Sequence, residues 1–105
     1  MRDYKLFYIT CKNKKEADKI AYDLVKKNMV ACVNIFPRIK SYFKWNNKID
    51  TAKEIVLIGK TIAKNMNKIT TYVKKIHSYD CPCIVFVSLK NGNKDFLHWI
   101  KNSLQ

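Results

Sequence analysis

Glycine and proline are almost absent. Two of each occur in 105 residues, so no stretch has the make-up of a flexible linker, and a single domain over residues 1–105 is expected. Arginine is nearly missing as well: only Arg2 and Arg38 carry a guanidinium, and every other basic side chain is lysine. The apolar run near the start, Leu6 to Ile9, is too short for a signal-peptide core and far too short to span a membrane. There is no Gly-rich phosphate loop, nucleophile elbow or HExxH pair. Neither an enzyme nor an organic cofactor is expected. Acidic residues are scarce, and 8 of them against 21 basic ones leave a net charge of +13.

A charge of that size can mark a nucleic-acid-binding module or an anionic membrane ligand. Two features oppose that reading. Specific recognition of phosphates and bases favours arginine, and the lysines are spread over every segment, with no single basic block. Abundant lysine together with asparagine fits a compositional bias. The expectation is weak, nonspecific electrostatic contact with nucleic acid and no membrane contact. The four cysteines, Cys11, Cys32, Cys81 and Cys83, are read as free thiols. A domain of this size needs no cross-link, and the expected cytoplasmic location is reducing.

What is present is strongly patterned. Tyr4 to Thr10 is aromatic and β-branched, a first strand. Asn13 offers a helix N-cap with Glu16 three residues on. Ala17, Ile20, Ala21, Leu24 and Val25 then form one apolar stripe, and Asn28 closes the helix. From Ala31 the period becomes two. Ala31, Val33, Ile35, Ile39, Phe43 and Trp45 are assigned to one face, with Pro37 interrupting the ladder without shifting parity. Trp45-Asn46-Asn47-Lys48 reads as a tight turn, and the return strand runs from about Ile49 to Lys60. Strands of this length exceed what one small domain covers, so the hairpin is expected to reach a neighbouring subunit.

A second helix starts at Thr61 or Asn65 and carries Ile62, Met66, Ile69, Val73 and Ile76 on one stripe. The loop His77-Ser78-Tyr79-Asp80, a strand from Cys83 to Leu89, and a closing helix with Phe96, Leu97, Ile100 and Leu104 complete the chain. The order β-α-β-β-α-β-α predicts an α+β fold: a ferredoxin-like split βαβ sandwich with its helices on one face.

The run Ala31-Cys32-Val33-Asn34-Ile35-Phe36-Pro37-Arg38-Ile39, followed by Ser41, Tyr42 and Trp45, resembles the signature hairpin of the CutA family. Glu54 with Lys60-Thr61 is similar to that family's strand-to-helix segment, and His77, Tyr79 and Pro82 to its His-Pro-Tyr-Glu loop and following proline. Asn91-Gly92, Phe96-Leu97 and Trp99-Ile100 match the closing helix, so the resemblance covers nearly the whole chain in order. It departs at Ser78, Asp80 and Asn47, where proline, glutamate and glycine are usual. The resemblance implies a homotrimer joined through sheet edges and a role in divalent-cation tolerance, with copper or another divalent metal ion, or a small ligand, held at clefts between subunits.

Two constellations are candidate sites. His77, Cys81 and Cys83 put one imidazole and two thiols in one loop, a donor set suited to Cu(I) or Zn(II). Against it, Cys83 also fits a small buried strand residue. His77, Tyr79, Asp80, Lys60 and Glu54, with Trp45 at the hairpin end, form a candidate ligand-binding set. A hydrogen-bonded network at a subunit joint is the favoured reading of these polar groups. A PII-like trimeric signalling adaptor is the rival architecture. It needs a long mobile loop, and the hairpin turn here is short.

Overall fold

The computed structural model describes residues 3–104. Strand β1 (Tyr4–Cys11) leads into helix α1 (Lys14–Lys26), then the long hairpin β2 (Cys32–Trp45) and β3 (Lys48–Ile62). A 3-10 turn at Ala63–Asn65 opens helix α2 (Met66–Ile76), followed by β4 (Ile84–Leu89) and helix α3 (Lys94–Ser103). The four strands form one antiparallel sheet in the order β2-β3-β1-β4. This is the expected split βαβ arrangement. No helix among the described residues is long and apolar enough to cross a membrane.

Local chemistry sets the element ends. Asn13 Oδ1 accepts the Glu16 N–H at 2.9 Å, and Glu16 Oε1 accepts the Lys12 N–H at 3.0 Å, so both ends of the capping pair are engaged. Removing the cap in Asn13→Ala is expected to cost about 1 kcal/mol. Thermal unfolding should register a fall in Tm of about 5 °C, restored by Asn13→Ser. Two residues past the end of the helix, Asn28 has a φ of 58°, the left-handed turn expected of it. At the hairpin tip Asn46 and Asn47 have φ of 51° and 63°. Both central residues are therefore left-handed, as a two-residue type I′ turn requires.

The core lies between the sheet and helices α1 and α2. Phe7, Ile9 and Cys11 of β1 and Leu57 of β3 pack against Ala17, Ile20 and Leu24 of α1 and Ile69 and Val73 of α2, all buried. Val25, expected in the α1 stripe, is 43% exposed and lies at the stripe's margin. Helix α3 departs from the one-face expectation. Its Ile100 and Leu104 pack on Ile62 and Tyr4, which are register partners. Strand alternation puts that pair opposite Phe7 and Ile9.

The hairpin requires a correction. Phe36 faces Val56 and Ile39 faces Glu54, so β2 takes three steps where β3 takes two. This is a β-bulge, and the extra residue flips the parity. Ile39, Phe43 and Trp45 therefore share a face with Phe36 and not with Val33 and Ile35. Pro37 has no N–H for the ladder, and the chain absorbs it by placing Arg38 at φ 62°. Strand β1 pairs with β3 only from Ile55 to Ile62, so the outer hairpin is a two-stranded ribbon. There Tyr42, Phe43, Trp45 and Ile49 are 68%, 40%, 65% and 73% exposed.

Candidate functional site at the end of strand β1

Where β1 stops, the loop after α2 folds over its last residues. His77 ends α2, donating its N–H to Val73 O at 2.8 Å. Its side chain has no exposed surface. The Tyr79 N–H lies 3.0 Å from His77 Nδ1, and Nε2 lies 2.8 Å from Thr10 O. A backbone N–H only donates and a carbonyl only accepts, so Nδ1 is the acceptor and Nε2 carries the proton. The imidazole is thus a neutral clamp between two backbone groups.

Carboxylates flank it. Glu16 Oε2 accepts the Ser78 N–H at 2.8 Å, in addition to the Lys12 bond at Oε1. Burial pushes the Glu16 carboxyl upward, but the Lys12 and Ser78 donors outweigh it and hold it below its ordinary range. Glu54 receives the Tyr79 hydroxyl at 2.8 Å on Oε2 and the Ser41 hydroxyl at 2.6 Å on Oε1. Burial, and then the Glu54 hydrogen bond, push the Tyr79 phenol well above its ordinary value. Among the described residues, no buried side-chain N or O lacks a partner.

Cys11 stands beside this network. Burial first, then the Glu16 and Glu54 charges, push its thiol up to about 12 from 9.0. A thiol protonated in the folded state but ionised in the unfolded chain destabilises the fold as pH rises. The Cys11 contribution is therefore intact below pH 9 and lost as pH climbs toward 12. Urea unfolding should show lower stability at pH 10.5 than at pH 8, with a shallower fall in Cys11→Val.

The structure brings together three of the sequence-predicted site residues, His77, Tyr79 and Glu54. Asp80 is exposed nearby and makes no side-chain hydrogen bond or ion pair among the described residues. Lys60 lies elsewhere: its Nζ donates to Asn34 Oδ1 at 3.0 Å and sits 6.0 Å from the Phe96 ring. Trp45 is at the hairpin tip, exposed. Cys81 and Cys83 are exposed free thiols and do not join the donor atoms around His77. That group is Cys11, Glu16 and His77, whose ligand atoms lie within 4.8 Å of one another. Sequence reasoning found no partner for Cys11 and read Glu16 as a cap alone. Their meeting with His77 follows from topology, because β1 ends and α1 begins beside the loop that leaves α2.

These three residues do not fit a resident metal. Both imidazole nitrogens and both Glu16 oxygens are already engaged in hydrogen bonds to backbone groups. The exposed pair flanking Pro82 offers soft sulfur donors without such bonds, although burial and the Glu54 charge raise the Cys83 thiol.

Sheet order, the split βαβ connection and the bulged long hairpin define a ferredoxin-like α+β protein, and known structures share its whole course. The structure of CutA1 from Oryza sativa superimposes with a TM-score of 0.95 at 35% identity, covering 98% of this chain and 94% of that one. The periplasmic divalent cation tolerance protein CutA from Archaeoglobus fulgidus gives a TM-score of 0.93 at 41% identity, covering 97% and 99%. The model of the CutA1 divalent ion tolerance protein family matches residues 5–103, and the chain belongs to that family. The chloroplastic Protein CutA 1 of Oryza sativa is 38% identical over 96 residues, and this chain spans 54% of its length.

Proposed function

We propose that the protein is a CutA-type homotrimer that takes up copper or another soft divalent-range metal ion through Cys81 and Cys83. The observation that carries the metal reading is the exposure of both thiols on either side of Pro82, in a chain of the divalent ion tolerance family. The assembly reading rests on the outer hairpin. An isolated two-stranded ribbon is marginal in water, and this one exposes Tyr42, Trp45 and Ile49. Strands β2 and β4 are the sheet's open edges, where a neighbour's strand can pair. The number three is what the family resemblance implies.

The test is a calorimetric copper titration of the reduced protein after light scattering has fixed its mass. The expected mass is three times the 12.4 kDa of the chain. Saturable binding should disappear in Cys81→Ser/Cys83→Ser while the mass stays unchanged. A monomer would sink the assembly reading, and binding that survives the double substitution would sink the metal site.

A further inference from the structure

A second place on the molecule carries unneutralised charge in a formed cavity. A groove of about 780 Å³ lies between the start of α1 and the bulged part of the hairpin. Its walls include Ile35, Pro37 and Ile55, and its rim carries the cations Lys12, Lys14, Arg38 and Lys53. Two carboxylates also line it, and both are engaged. Asp18 is ion-paired to Lys14 at 2.8 Å, and the Glu54 oxygens take the Ser41 and Tyr79 hydroxyls. Among the described residues, no carboxylate stands within 4.0 Å of the Lys12, Arg38 or Lys53 side-chain nitrogens. An adjoining cavity of about 360 Å³ shares Arg38 and Lys53 and adds Lys40.

Arg38 singles this groove out. Arg38 is one of only two arginines, in a chain whose basic residues are otherwise all lysine, and it occupies the bulge at φ 62°. A left-handed residue with a long side chain is strained, and bulges re-aim side chains at functional places. A planar guanidinium grips phosphate or carboxylate bidentately, which an ammonium does not. Four cations against two carboxylates leave the lining with a net positive charge, and such a field concentrates anions.

We propose that this groove binds a small organic polyanion, with phosphate or carboxylate groups on Arg38, Lys12 and Lys53 and an apolar body on Ile35, Pro37 and Ile55. Its size is that of small-molecule sites. The apolar side chains of Ile35, Pro37 and Ile55 between the cations of an open groove favour such a ligand over a nucleic acid, which would track a continuous basic stripe. The site shares no residue with Cys81 and Cys83, so failure of either reading leaves the other standing.

Calorimetric titration of the assembled protein with adenosine diphosphate and with citrate separates the phosphate source from the carboxylate source. At least one probe should bind with a submillimolar Kd. Arg38→Gly should weaken it about tenfold or more, in keeping with loss of a charge-assisted bidentate contact. The same variant should have an unchanged or higher Tm, because glycine accepts the positive φ. Lys68→Ala/Lys75→Ala, which removes two charges from exposed positions of α2, should leave the affinity unchanged. The proposal is overturned if neither probe binds at millimolar concentration, or if the α2 variant weakens binding as much as Arg38→Gly. It is also overturned if an oligothymidylate binds more tightly than both probes with equal loss in the two variants.

Discussion

Gly59→Ala should severely destabilise the fold. A Cβ at this position would lie 2.2 Å from the Cys32 carbonyl oxygen and 2.3 Å from Phe7 Cζ. Neither neighbour can give way. Phe7 is fully buried among the core residues of β1 and the helices, and Cys32 pairs across the ladder as the partner of Lys60. Gly59 itself faces Phe7 on one side and Val33 on the other, so a phenyl ring lies across the strand where a side chain would stand. Close approach of ring and backbone is a standard reason for glycine inside a strand. Ordinary overpacking costs about 1–3 kcal/mol; a contact this short against backbone should exceed about 3 kcal/mol, a large part of a small domain's stability. Circular dichroism and urea unfolding would report it. Phe7→Leu in the same chain should rescue little, because the Cys32 carbonyl remains in place. A Gly59→Ala protein with native Tm would show that the strand can shift, contradicting this packing.

The reasons some features were legible in the sequence and others were not are physical. Alternation and helical stripes are local, so β1, α1, the hairpin turn and α2 from Met66 onward follow from residues a few positions apart, whereas Thr61 and Ile62, read as helical, end β3. The Asn13 cap and the Asn46-Asn47 turn stand as read. The fold class followed from element order. The hairpin's faces did not, because parity depends on an uncounted residue at the bulge: Pro37 marks the interruption, but only the pairing of Ile39 with Glu54 shows that Arg38 adds a step. The candidate site was half legible. His77, Tyr79 and Glu54 came from the loop and strand motifs, and they do meet through Glu54 and the Tyr79 N–H. Lys60, by contrast, lies in the same motif but works against Asn34. Proximity along the chain also misled at Cys81 and Cys83. They are four and six residues from His77, yet the donors that surround its ring are Cys11 and Glu16, brought there by the crossing of β1 and α1 with the loop.

His77→Ala should destabilise the protein by about 2–4 kcal/mol whether or not metal is present. The substitution removes two hydrogen bonds at once and leaves the Thr10 carbonyl and the Tyr79 N–H without their partner. An orphaned buried polar group costs about 1–3 kcal/mol, and the void left by an unexposed imidazole adds to it. The damage should spread along the loop, because the Tyr79 hydroxyl bond to Glu54 and the Ser78 N–H bond to Glu16 depend on the course His77 sets. Hydrogen exchange should therefore quicken at Ser78 and Tyr79 before it does in α1. The decisive control is chelation. If His77 were chiefly a metal ligand, stripping the wild-type protein with EDTA would lower its urea midpoint toward that of the substituted protein. The clamp geometry predicts that EDTA leaves the wild-type midpoint where it is, and that the full difference between the two proteins persists in metal-free buffer. On this account the imidazole holds the loop that presents Cys81 and Cys83, so its loss should blunt copper uptake only by disordering that loop. The loss should then be smaller than in the double cysteine variant.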